Sequence, residues 1–341
     1  MTFLRDAWYL AAWAEELAAG SLLSRTICGE PLVFYRSPEG TAAALLDRCP
    51  HRFAPLSRGK LDGAVLRCGY HGLAFGPDGI CVGNPHGPVS RSVRTRSFAA
   101  VERHGAIWVW MGDAPRPDAA QIPDYGFIDR TAQNARVTGY LRTDANYLLM
   151  VDNILDLTHA DYLHPDTLGG GINTRAKGSV ATTSDGVSIT WRADDEALPP
   201  VMGALLPGTG GRGDFRNEVY WSPPGNMRQR LLFGPPGRLT ENGLDSWTAH
   251  VMTPESATST HYFFCHTSDS LNANPALAPH IKEVLLCAFR DQDAPMLEAQ
   301  QSRLQDADFW SLSPALLAID KGAVAARRML EQRLAAEAKV T

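Results

Sequence analysis

The sequence predicts an α+β protein of two domains, in which a small all-β domain precedes a larger domain of mixed strands and helices. Between residues 26 and 110, short apolar runs broken by Gly and Pro recur at a spacing of roughly ten residues, as in a small all-β unit. In the second half, predicted strands lie between predicted helices, an order that indicates an α+β domain. The length of 341 residues suits two domains better than one.

The predicted domain boundary lies in a turn-rich stretch, residues 111–123, which contains Pro115, Pro117 and Pro123. The two domains are therefore expected at residues 1–115 and 124–341. In the second domain we predict helices over residues 146–164, 278–304 and 323–338, the middle one interrupted near Pro295, and strands within residues 180–191 and 247–266.

Composition and charge exclude several classes of protein. The formal net charge is −5 and no run of Lys or Arg occurs, so a nucleic-acid partner is not indicated. No window approaches about 18 to 20 consecutive apolar residues, and the N-terminus lacks the pattern of a signal peptide. We therefore expect a cytoplasmic protein without a membrane span. The 6 cysteines lie far apart, which favours metal ligation over disulfides for any that have histidine neighbours.

Two short segments each combine one cysteine with one histidine. Cys49-Pro50-His51 precedes Cys68-Gly69-Tyr70-His71, and both lie on loops between predicted strands. Zinc binds two Cys and two His tetrahedrally, whereas a Rieske [2Fe–2S] cluster takes the thiolates on one iron and the imidazoles on the other. Zinc fingers usually keep like ligands together in one segment. Because each loop here carries one of each, the spacing favours the cluster, and zinc remains the alternative.

A second group of polar residues lies within an apolar segment. On a helix, Asp152, Asp156 and His159 would share one face, and the apolar residues around them indicate burial. Buried carboxylates and imidazoles need partners or a metal. Pro165 favours a helix end near His164, which would let that side chain turn toward His159. Two histidines and one carboxylate are the usual ligands of a non-heme Fe(II) that binds O₂.

These motifs resemble those of the Rieske non-heme iron oxygenases. The family pattern C-x-H, a gap, then C-x-x-H is matched by the two loops, and D/E-x-x-H-x-x-x-x-H is matched from Asp156 to His164. Pro85 is similar to a proline that shields such clusters. The resemblance implies an N-terminal all-β Rieske domain and an α+β catalytic domain with a central antiparallel, helix-grip-like sheet. It also implies a [2Fe–2S] cluster, a mononuclear Fe(II) and O₂ as cosubstrate.

The resemblance assigns a role to individual residues. The cluster ligands would be Cys49, His51, Cys68 and His71. The mononuclear iron would be held by His159, His164 and Asp293, with Asp291 as the alternative carboxylate. In relatives the acid at the position of Asp156 carries electrons between subunits, so it would link His159 to His71 of the neighbouring subunit. Asn153 would be an outer-sphere neighbour of the iron.

Several longer segments resemble the vanillate O-demethylase oxygenase branch, which also includes dicamba and toluenesulfonate methyl-oxidising relatives. They include Ala7-Trp8-Tyr9-Leu10 and His250-Val251-Met252-Thr253-Pro254. This resemblance implies a homotrimer that receives electrons from a separate reductase (flavin/[2Fe–2S]) or a ferredoxin. The expected reaction is hydroxylation of a methyl group of a small aromatic substrate. The favoured example is O-demethylation of a methoxybenzoate such as vanillate, with release of formaldehyde.

Gln229 and His250 occupy strand positions where these relatives place residues that contact the substrate. Arg228 and Arg230 could instead pair with a substrate carboxylate, but strand alternation places them opposite Gln229. Only one of the two sets can face a pocket, and we favour Gln229 and His250 as the substrate-binding residues.

Three alternatives stay open at the level of sequence. The same fold could oxidise another aromatic compound by methyl or ring hydroxylation or by N-demethylation. A Rieske electron carrier with a non-catalytic binding domain would have the Cys/His set without a working iron site. A zinc-binding structural protein would be colourless. Iron content distinguishes an oxygenase from an electron carrier, since the oxygenase should hold about three irons per chain and a carrier about two.

Overall fold

The computed structural model describes residues 3–113, 117–239, 243–305 and 307–339. The chain divides into two compact units, Met1–Asp124 with Thr253–Ala257 and Tyr125–Met252 with Thr258–Thr341. Residue 115, the predicted end of the first domain, lies outside the described residues, and the predicted boundaries stay a prediction.

The first unit is built from short antiparallel strands, as the spacing of its apolar runs predicts. Its described residues form three sheets, with the strand orders β1-β11-β10, β2-β3-β4-β9 and β5-β6-β7-β8. The strands are β1 (Trp8–Trp13), β2 (Leu23–Ile27), β3 (Glu30–Arg36), β4 (Ala42–Leu46), β5 (Lys60–Asp62), β6 (Val65–Arg67), β7 (Ala74–Phe75), β8 (Cys81–Gly83), β9 (Ser97–Phe98), β10 (Ala100–Arg103) and β11 (Ala106–Trp110).

The Cys/His loops connect strands of this unit. One loop joins β4 to β5 and the other joins β6 to β7. The two cysteines belong to a buried cluster with large apolar side chains such as Tyr35, Leu66 and Phe75. The hydrophobic core therefore fixes the base of both loops.

The second unit contains one antiparallel sheet with the strand order β12-β18-β17-β16-β15-β14-β13. The central antiparallel sheet expected for the catalytic domain is therefore confirmed. Its strands are β12 (Val137–Thr143), β13 (Lys177–Thr182), β14 (Val187–Ala197), β15 (Arg212–Ser222), β16 (Asn226–Gly234), β17 (Leu244–Ser256) and β18 (Ser259–Ser268). The strand segments predicted from sequence lie in two hairpins, β13–β14 and β17–β18.

Helices flank the sheet in sequence. They are α1 (Gly126–Asp129), α2 (Tyr147–Leu155), α3 (Ala160–Leu163), α4 (Ile172–Arg175), α5 (Pro200–Ala204), α6 (Asp269–Ala273), α7 (Ala278–Leu286), α8 (Ala294–Leu304) and α9 (Lys321–Glu337). A π-helical segment, Cys287–Asp293, joins α7 to α8. Among the described residues, none of the helices has the length and apolar character that crossing a membrane requires.

Two of the predicted helices differ from the structure in an informative way. The helix predicted over residues 146–164 is interrupted at Asp156, which has extended backbone angles (φ −130, ψ 98) and caps a 3-10 turn that contains His159. The second helix is continuous, but a π segment rather than a break precedes Pro295. A proline removes a hydrogen-bond donor and clashes with the carbonyl four residues earlier, which is Asp291, so the wider π turn relieves the conflict.

The two faces of the sheet carry different chemistry. Phe289 of the π segment packs its ring against His250, Tyr262 and Phe264, which defines a helix-covered face. Strand register assigns side chains to this face because opposed residues of antiparallel strands point to the same side. From β15 to β18 the face comprises Phe215, Asn217, Val219, Trp221, Met227, Gln229, Leu231, Phe233, Ser246, Thr248, His250, Met252, Thr260, Tyr262, Phe264, His266 and Ser268. None of these residues is Asp, Glu, Lys or Arg, whereas both signs of charge occur on the opposite face.

The C-terminal helix α9 is fixed to α2 by a buried ion pair. Arg327 donates from Nε and Nη2 to the Asp152 carboxylate at 2.9 and 2.6 Å, and its guanidinium lies over the Phe309 ring. Burial raises the pKa of Asp152 and the Arg327 charge opposes that rise. The adjacent residue in α2 is Asn153, so this pair also positions a residue predicted to neighbour the iron.

Replacing Arg327 with Met should lower the stability of the second unit by about 3 kcal/mol, because the Asp152 carboxylate would stay buried without its partner. Thermal unfolding followed by circular dichroism measures the effect. The matched control is Arg333→Met in the same helix, whose side chain is exposed and lies 4.0 Å from Asp185. That variant should change stability by less than about 1 kcal/mol. Equal stability of the two variants would contradict the anchoring role of Arg327.

Candidate functional site

The two Cys/His loops have the same backbone geometry. The amide of Cys49 donates to Ala54 O at 2.9 Å, and the amide of Cys68 donates to Leu73 O at 2.8 Å. Each loop closes in the reverse direction too, since Phe53 N donates to Cys49 O and Gly72 N to Cys68 O. Both closing residues have positive φ, 59° and 76°. The two loops therefore hold their Cys and His residues in matching backbone settings.

The cysteines of these loops are more deeply buried than the histidines. Cys49 and Cys68 are 2% and 3% exposed, whereas His51 and His71 lie nearer the surface with ring centroids 4.6 Å apart. Burial raises the pKa of the Cys49 thiol, and its contact with the Cys68 thiol contributes to the shift. Buried thiolates need a metal to be stable. Two thiols inside and two imidazoles outside fit a cluster whose irons have different ligands.

The spacing of the four side chains argues against zinc. Ligands of a tetrahedral zinc site lie about 2.0–2.3 Å from the ion, so their donor atoms are less than about 4 Å apart. Within the part of the chain that the structure describes, a group of three or more such donors within 4.8 Å of one another occurs elsewhere, in the second unit, and does not include this set. A cluster of two irons fits the wider spacing.

A third loop supports the second Cys/His loop. Gly72 has φ +76, and a Cβ at this position would come within 3.1 Å of the Pro85 ring. His86 is 3.0 Å from the backbone oxygen of His71 through Nε2. The loop containing Pro85 thus packs against the predicted cluster loop, where the sequence resemblance places a shielding proline.

The compact group in the second unit consists of His159, His164 and Asp293, whose donor atoms all lie within 4.8 Å of one another. The Asp293 Oδ1 atom is 3.1 Å from His164 Nε2 and 3.5 Å from His159 Nε2. His164 and Asp293 are buried, and His159 is partly exposed. The structure therefore brings together the three side chains that the sequence predicts as iron ligands.

Hydrogen bonds orient both imidazoles toward Asp293. His159 Nδ1 lies 2.5 Å from the backbone oxygen of Asp156, and His164 Nδ1 lies 2.7 Å from Gln292 Oε1. Since both partners are acceptors, each Nδ1 carries the hydrogen and each Nε2 keeps a lone pair for a metal. Burial disfavours a charged His164, but Asp293 and Gln292 outweigh it and raise the pKa of His164.

The π segment places the two candidate carboxylates in different surroundings. Asp293 is 5% exposed and faces the histidines. Asp291 is exposed and pairs with Arg290 at 2.7 Å, which lowers its pKa. The geometry places Asp293, rather than Asp291, beside both imidazoles. π segments occur frequently at functional sites because the extra residue redirects side chains.

Asn153 and Asp156 lie next to this group. The Asn153 amide nitrogen is 3.2 Å from Asp293 Oδ1 and 3.4 Å from His159 Nε2, a position outside the ligand set but in contact with it. The Asp156 carboxylate accepts from Thr158 N and Oγ1 through Oδ1. Within one chain, therefore, His159 contacts the main-chain oxygen of Asp156 and not its carboxylate. Its Oδ2 atom has no hydrogen-bond partner within the described residues.

Gln229 and His250 lie together on the helix-covered face. His250 Nε2 is 3.0 Å from Gln229 Oε1, and His250 Nδ1 is 2.7 Å from the Tyr262 hydroxyl. Gln229 Nε2 in turn donates to Asn217 Oδ1 at 3.1 Å. Burial lowers the pKa of His250 to about 3, so its imidazole is neutral at pH 7. Burial and the charge of Asp293 raise the pKa of Tyr262.

The arginines that the sequence left as alternatives lie on the opposite face. Arg228 is positioned over the Tyr220 ring, with 4.7 Å between guanidinium carbon and ring centroid. Arg230 binds the Asp245 carboxylate at 2.7 Å and lies over the Trp247 ring. Strand alternation correctly predicted that these side chains and Gln229 would be separated.

Sequence reasoning missed Gln292, which holds His164, and the polar residues Thr248 and His266 of the helix-covered face. Gln292 directly precedes Asp293, but no local pattern predicts which way its amide points. The signal for Thr248 and His266 was available, since both share strand parity with His250 or Tyr262.

Comparison with known proteins agrees with this geometry. Residues 7–97 match the Rieske [2Fe-2S] domain, and residues 143–336 match the vanillate O-demethylase oxygenase C-terminal domain. The oxygenase component of chloroacetanilide N-alkylformylase from Rhizorhabdus wittichii is 37% identical over 99% of this chain and 97% of that protein. The oxygenase component of dicamba O-demethylase from Stenotrophomonas maltophilia is 37% identical over 97% and 98%. A crystal structure of dicamba monooxygenase bound to dicamba superposes with a TM-score of 0.91, 36% identity and 99% and 100% coverage.

Fold and site together define the oxygenase component of a Rieske non-heme iron monooxygenase, which uses a [2Fe–2S] cluster, a mononuclear iron and O₂. Within that class, the chain belongs to the vanillate O-demethylase oxygenase family.

Replacing His159 with Ala should remove the mononuclear iron and abolish turnover, because one of three ligands is lost from a site that needs all of them. Iron should fall from about three to about two per chain, while the visible absorption of the cluster is retained. The control is His280→Gln, since His280 is exposed on α7. A turning-over His159→Ala enzyme would refute the assignment of this residue as a ligand.

Proposed function

We propose that this oxygenase hydroxylates a methyl group of an aromatic substrate, and that the reaction is O-demethylation of a methoxybenzoate such as vanillate. The observation that carries the proposal is the group of His159, His164 and Asp293, of which the last two are buried, on the side of the sheet that also bears Gln229 and His250. A site that combines metal donors with an apolar, sparsely polar surface is typical of small-molecule oxidation.

The ligand set would leave one side of the iron open. Two histidines and one carboxylate occupy one face of a non-heme Fe(II), and the other face accepts O₂ beside the substrate. When bound, the iron supplies O₂ activation with electrons that arrive through the [2Fe–2S] cluster. The chain's own residues hold the imidazoles by their Nδ1 atoms and keep the carboxylate buried, and Asn153 donates to that carboxylate.

The helix-covered face would bind the aromatic ring. Its apolar side chains, such as Val219 and Leu231, suit a ring, as does Phe289 of the π segment that packs on this face. Gln229 and His250 are the proposed polar contacts. For a methyl ether, one oxygen atom of O₂ enters the C–H bond and the other leaves as water after uptake of two electrons and two protons. The hemiacetal then separates into a phenol and formaldehyde.

The test combines iron quantitation with a product assay. Purified protein should show a Rieske EPR signal and about three irons per chain. With a reductase, NADH and a panel of methoxybenzoates, it should release one formaldehyde per substrate consumed. A third iron without formaldehyde from any methoxybenzoate would overturn O-demethylation and leave the oxygenase assignment intact. Absence of the Rieske signal in iron-loaded, reduced protein would overturn the assignment itself.

A second substrate class has one observation in its favour. The relative from Rhizorhabdus wittichii is named for chloroacetanilides, which are anilides and carry no carboxylate. The helix-covered face holds no cation from β15 to β18, so a neutral anilide fits it as well. Dealkylation of an anilide nitrogen is therefore the second candidate, and the same assay with N-alkyl anilides as substrates distinguishes it.

We further propose a homotrimer in which Asp156 connects the two metal centres of neighbouring subunits, and which receives electrons from a separate reductase or ferredoxin. The Oδ2 atom of Asp156, which has no hydrogen-bond partner among the described residues, supports the proposal, since it is free to accept a hydrogen bond from His71 of the partner subunit. His71 and its neighbour Tyr70 lie at the surface of the first unit, where a partner can reach them.

Replacing Asp156 with Asn should keep both metals but slow turnover at least about 100-fold, because the amide would present an NH₂ donor where Oδ2 of the carboxylate would accept from His71 of the partner subunit. Asn retains the cap on Thr158 and so preserves the local fold. Stopped-flow spectroscopy would show a cluster that is reduced normally but reoxidised slowly by O₂ and substrate. The control is Asp166→Asn, an exposed acid nearby. Normal reoxidation in Asp156→Asn would argue against the bridge.

A further inference from the structure

The helix-covered face carries a second imidazole, which the function described so far does not use. His266 lies on β18, two residues beyond Phe264, and its Nδ1 atom is 2.9 Å from the hydroxyl of Thr248 on β17. Thr248 is also the cross-strand neighbour of Gln229. His266 and Gln229 therefore flank Thr248 from its two sides, on one surface.

The two imidazoles of this face are arranged alike. Each has its Nδ1 atom against a hydroxyl, Tyr262 for His250 and Thr248 for His266. Neither hydroxyl has another hydrogen-bond partner among the residues that the structure describes, and a buried hydroxyl is normally satisfied as a donor. Each hydroxyl hydrogen is therefore assigned to the imidazole, so that both rings carry their own hydrogen on Nε2.

The difference between the two rings lies in what Nε2 meets. The Nε2–H of His250 donates to Gln229 Oε1, and Gln229 donates onward to Asn217. Both ring nitrogens of His250 therefore have partners inside the protein. The Nε2–H of His266 has no partner within the described residues, although the ring is only partly exposed. Burial lowers the pKa of His266 to about 4, which leaves a neutral donor at pH 7.

We propose that His266 is a substrate-binding residue, which donates a hydrogen bond from Nε2 to an acceptor oxygen on the aromatic substrate. The inference rests on the proposed function, because it needs an aromatic ring bound on the helix-covered face. With the second amide hydrogen of Gln229, His266 makes a surface of neutral donors without a cation. Such a surface recognises a carboxylate, carbonyl or sulfonyl group on the ring by hydrogen bonds and discriminates against rings that lack such a group. Thr248 is a positioning residue that fixes the tautomer.

The test compares ligand pairs and histidine variants in the anaerobic holoenzyme by titration calorimetry. The probes are 2-, 3- and 4-methoxybenzoate, each paired with the methoxytoluene that lacks the acceptor group, and the corresponding methoxybenzamides. His266→Leu should weaken the best-bound benzoate or benzamide about tenfold and leave its methoxytoluene partner unchanged. His266→Gln, which keeps a donor, should recover part of that loss. The control is His280→Gln, which should bind every probe as the wild type does.

The proposed role of Thr248, which is to fix the tautomer of His266, is tested by a second measurement. Thr248→Val preserves shape but removes the hydroxyl, so the hydrogen of His266 would distribute over both nitrogens. We expect a loss of affinity smaller than that of His266→Leu, with Thr248→Ser restoring it. A Thr248→Val enzyme that binds acceptor-bearing probes like the wild type would remove Thr248 from the proposal.

The outcomes separate this proposal from the proposed reaction. Equal weakening of both members of a pair by His266→Leu, or no weakening, overturns the role of His266. The role of His266 is also overturned if none of the methoxybenzoates or methoxybenzamides binds the wild-type enzyme. Acceptor-dependent binding that needs His266 but yields no formaldehyde supports the role of His266 and overturns O-demethylation alone.

Discussion

The burial of one carboxylate between two imidazoles is the constraint on which the rest of the second unit depends. An isolated buried carboxylate costs several kcal/mol, and the Asn153 amide offsets part of this cost for Asp293 by donating to Oδ1. The Nε2 atoms of His159 and His164 face the same oxygen with lone pairs, an arrangement that a bound cation would stabilise. Each imidazole is held from behind by an acceptor oxygen, so its free nitrogen must point inward. The side chains are thus fixed in a metal-binding geometry by contacts that do not themselves involve a metal.

Three separate backbone irregularities produce that geometry. The extended residue Asp156 ends α2 and directs its carbonyl at His159, the bend before Pro165 turns His164 inward, and the π segment rotates Asp293 toward both. In a regular helix Asp291 and Asp293 would point in directions set by the α-helical period alone. Irregular backbone is therefore where this fold concentrates its chemistry, while the regular sheet supplies the surface opposite.

A feature of the site could be predicted from the sequence where it depends on residues close together in the chain. The Cys/His loops and the pair His159 and His164 are local motifs, so the sequence spacing alone predicts them as candidate ligands. The choice of Asp293 over Asp291 could not, since it depends on a π segment whose extra residue changes the phase of the helix. Strand alternation predicts that Gln229 and Arg228 lie on opposite faces of the sheet. The sequence does not show which of these faces the helices cover, because that depends on the long-range packing of Phe289.

From β15 to β18, charged side chains lie on one face of the sheet and not on the other, and this distribution affects which substrates the protein can bind. Arginines and acids of β15, β16 and β17 pair with one another or with aromatic rings on the outer face, which leaves the helix-covered face to neutral hydrogen-bonding groups. A neutral pocket adds no charge beside His159, His164 and Asp293, and burial keeps the imidazoles of His250 and His266 uncharged over a wide pH range. Discrimination between substrates then depends on the direction of hydrogen bonds. Such discrimination is strong, because a ligand that lacks an acceptor leaves a desolvated donor unpaired.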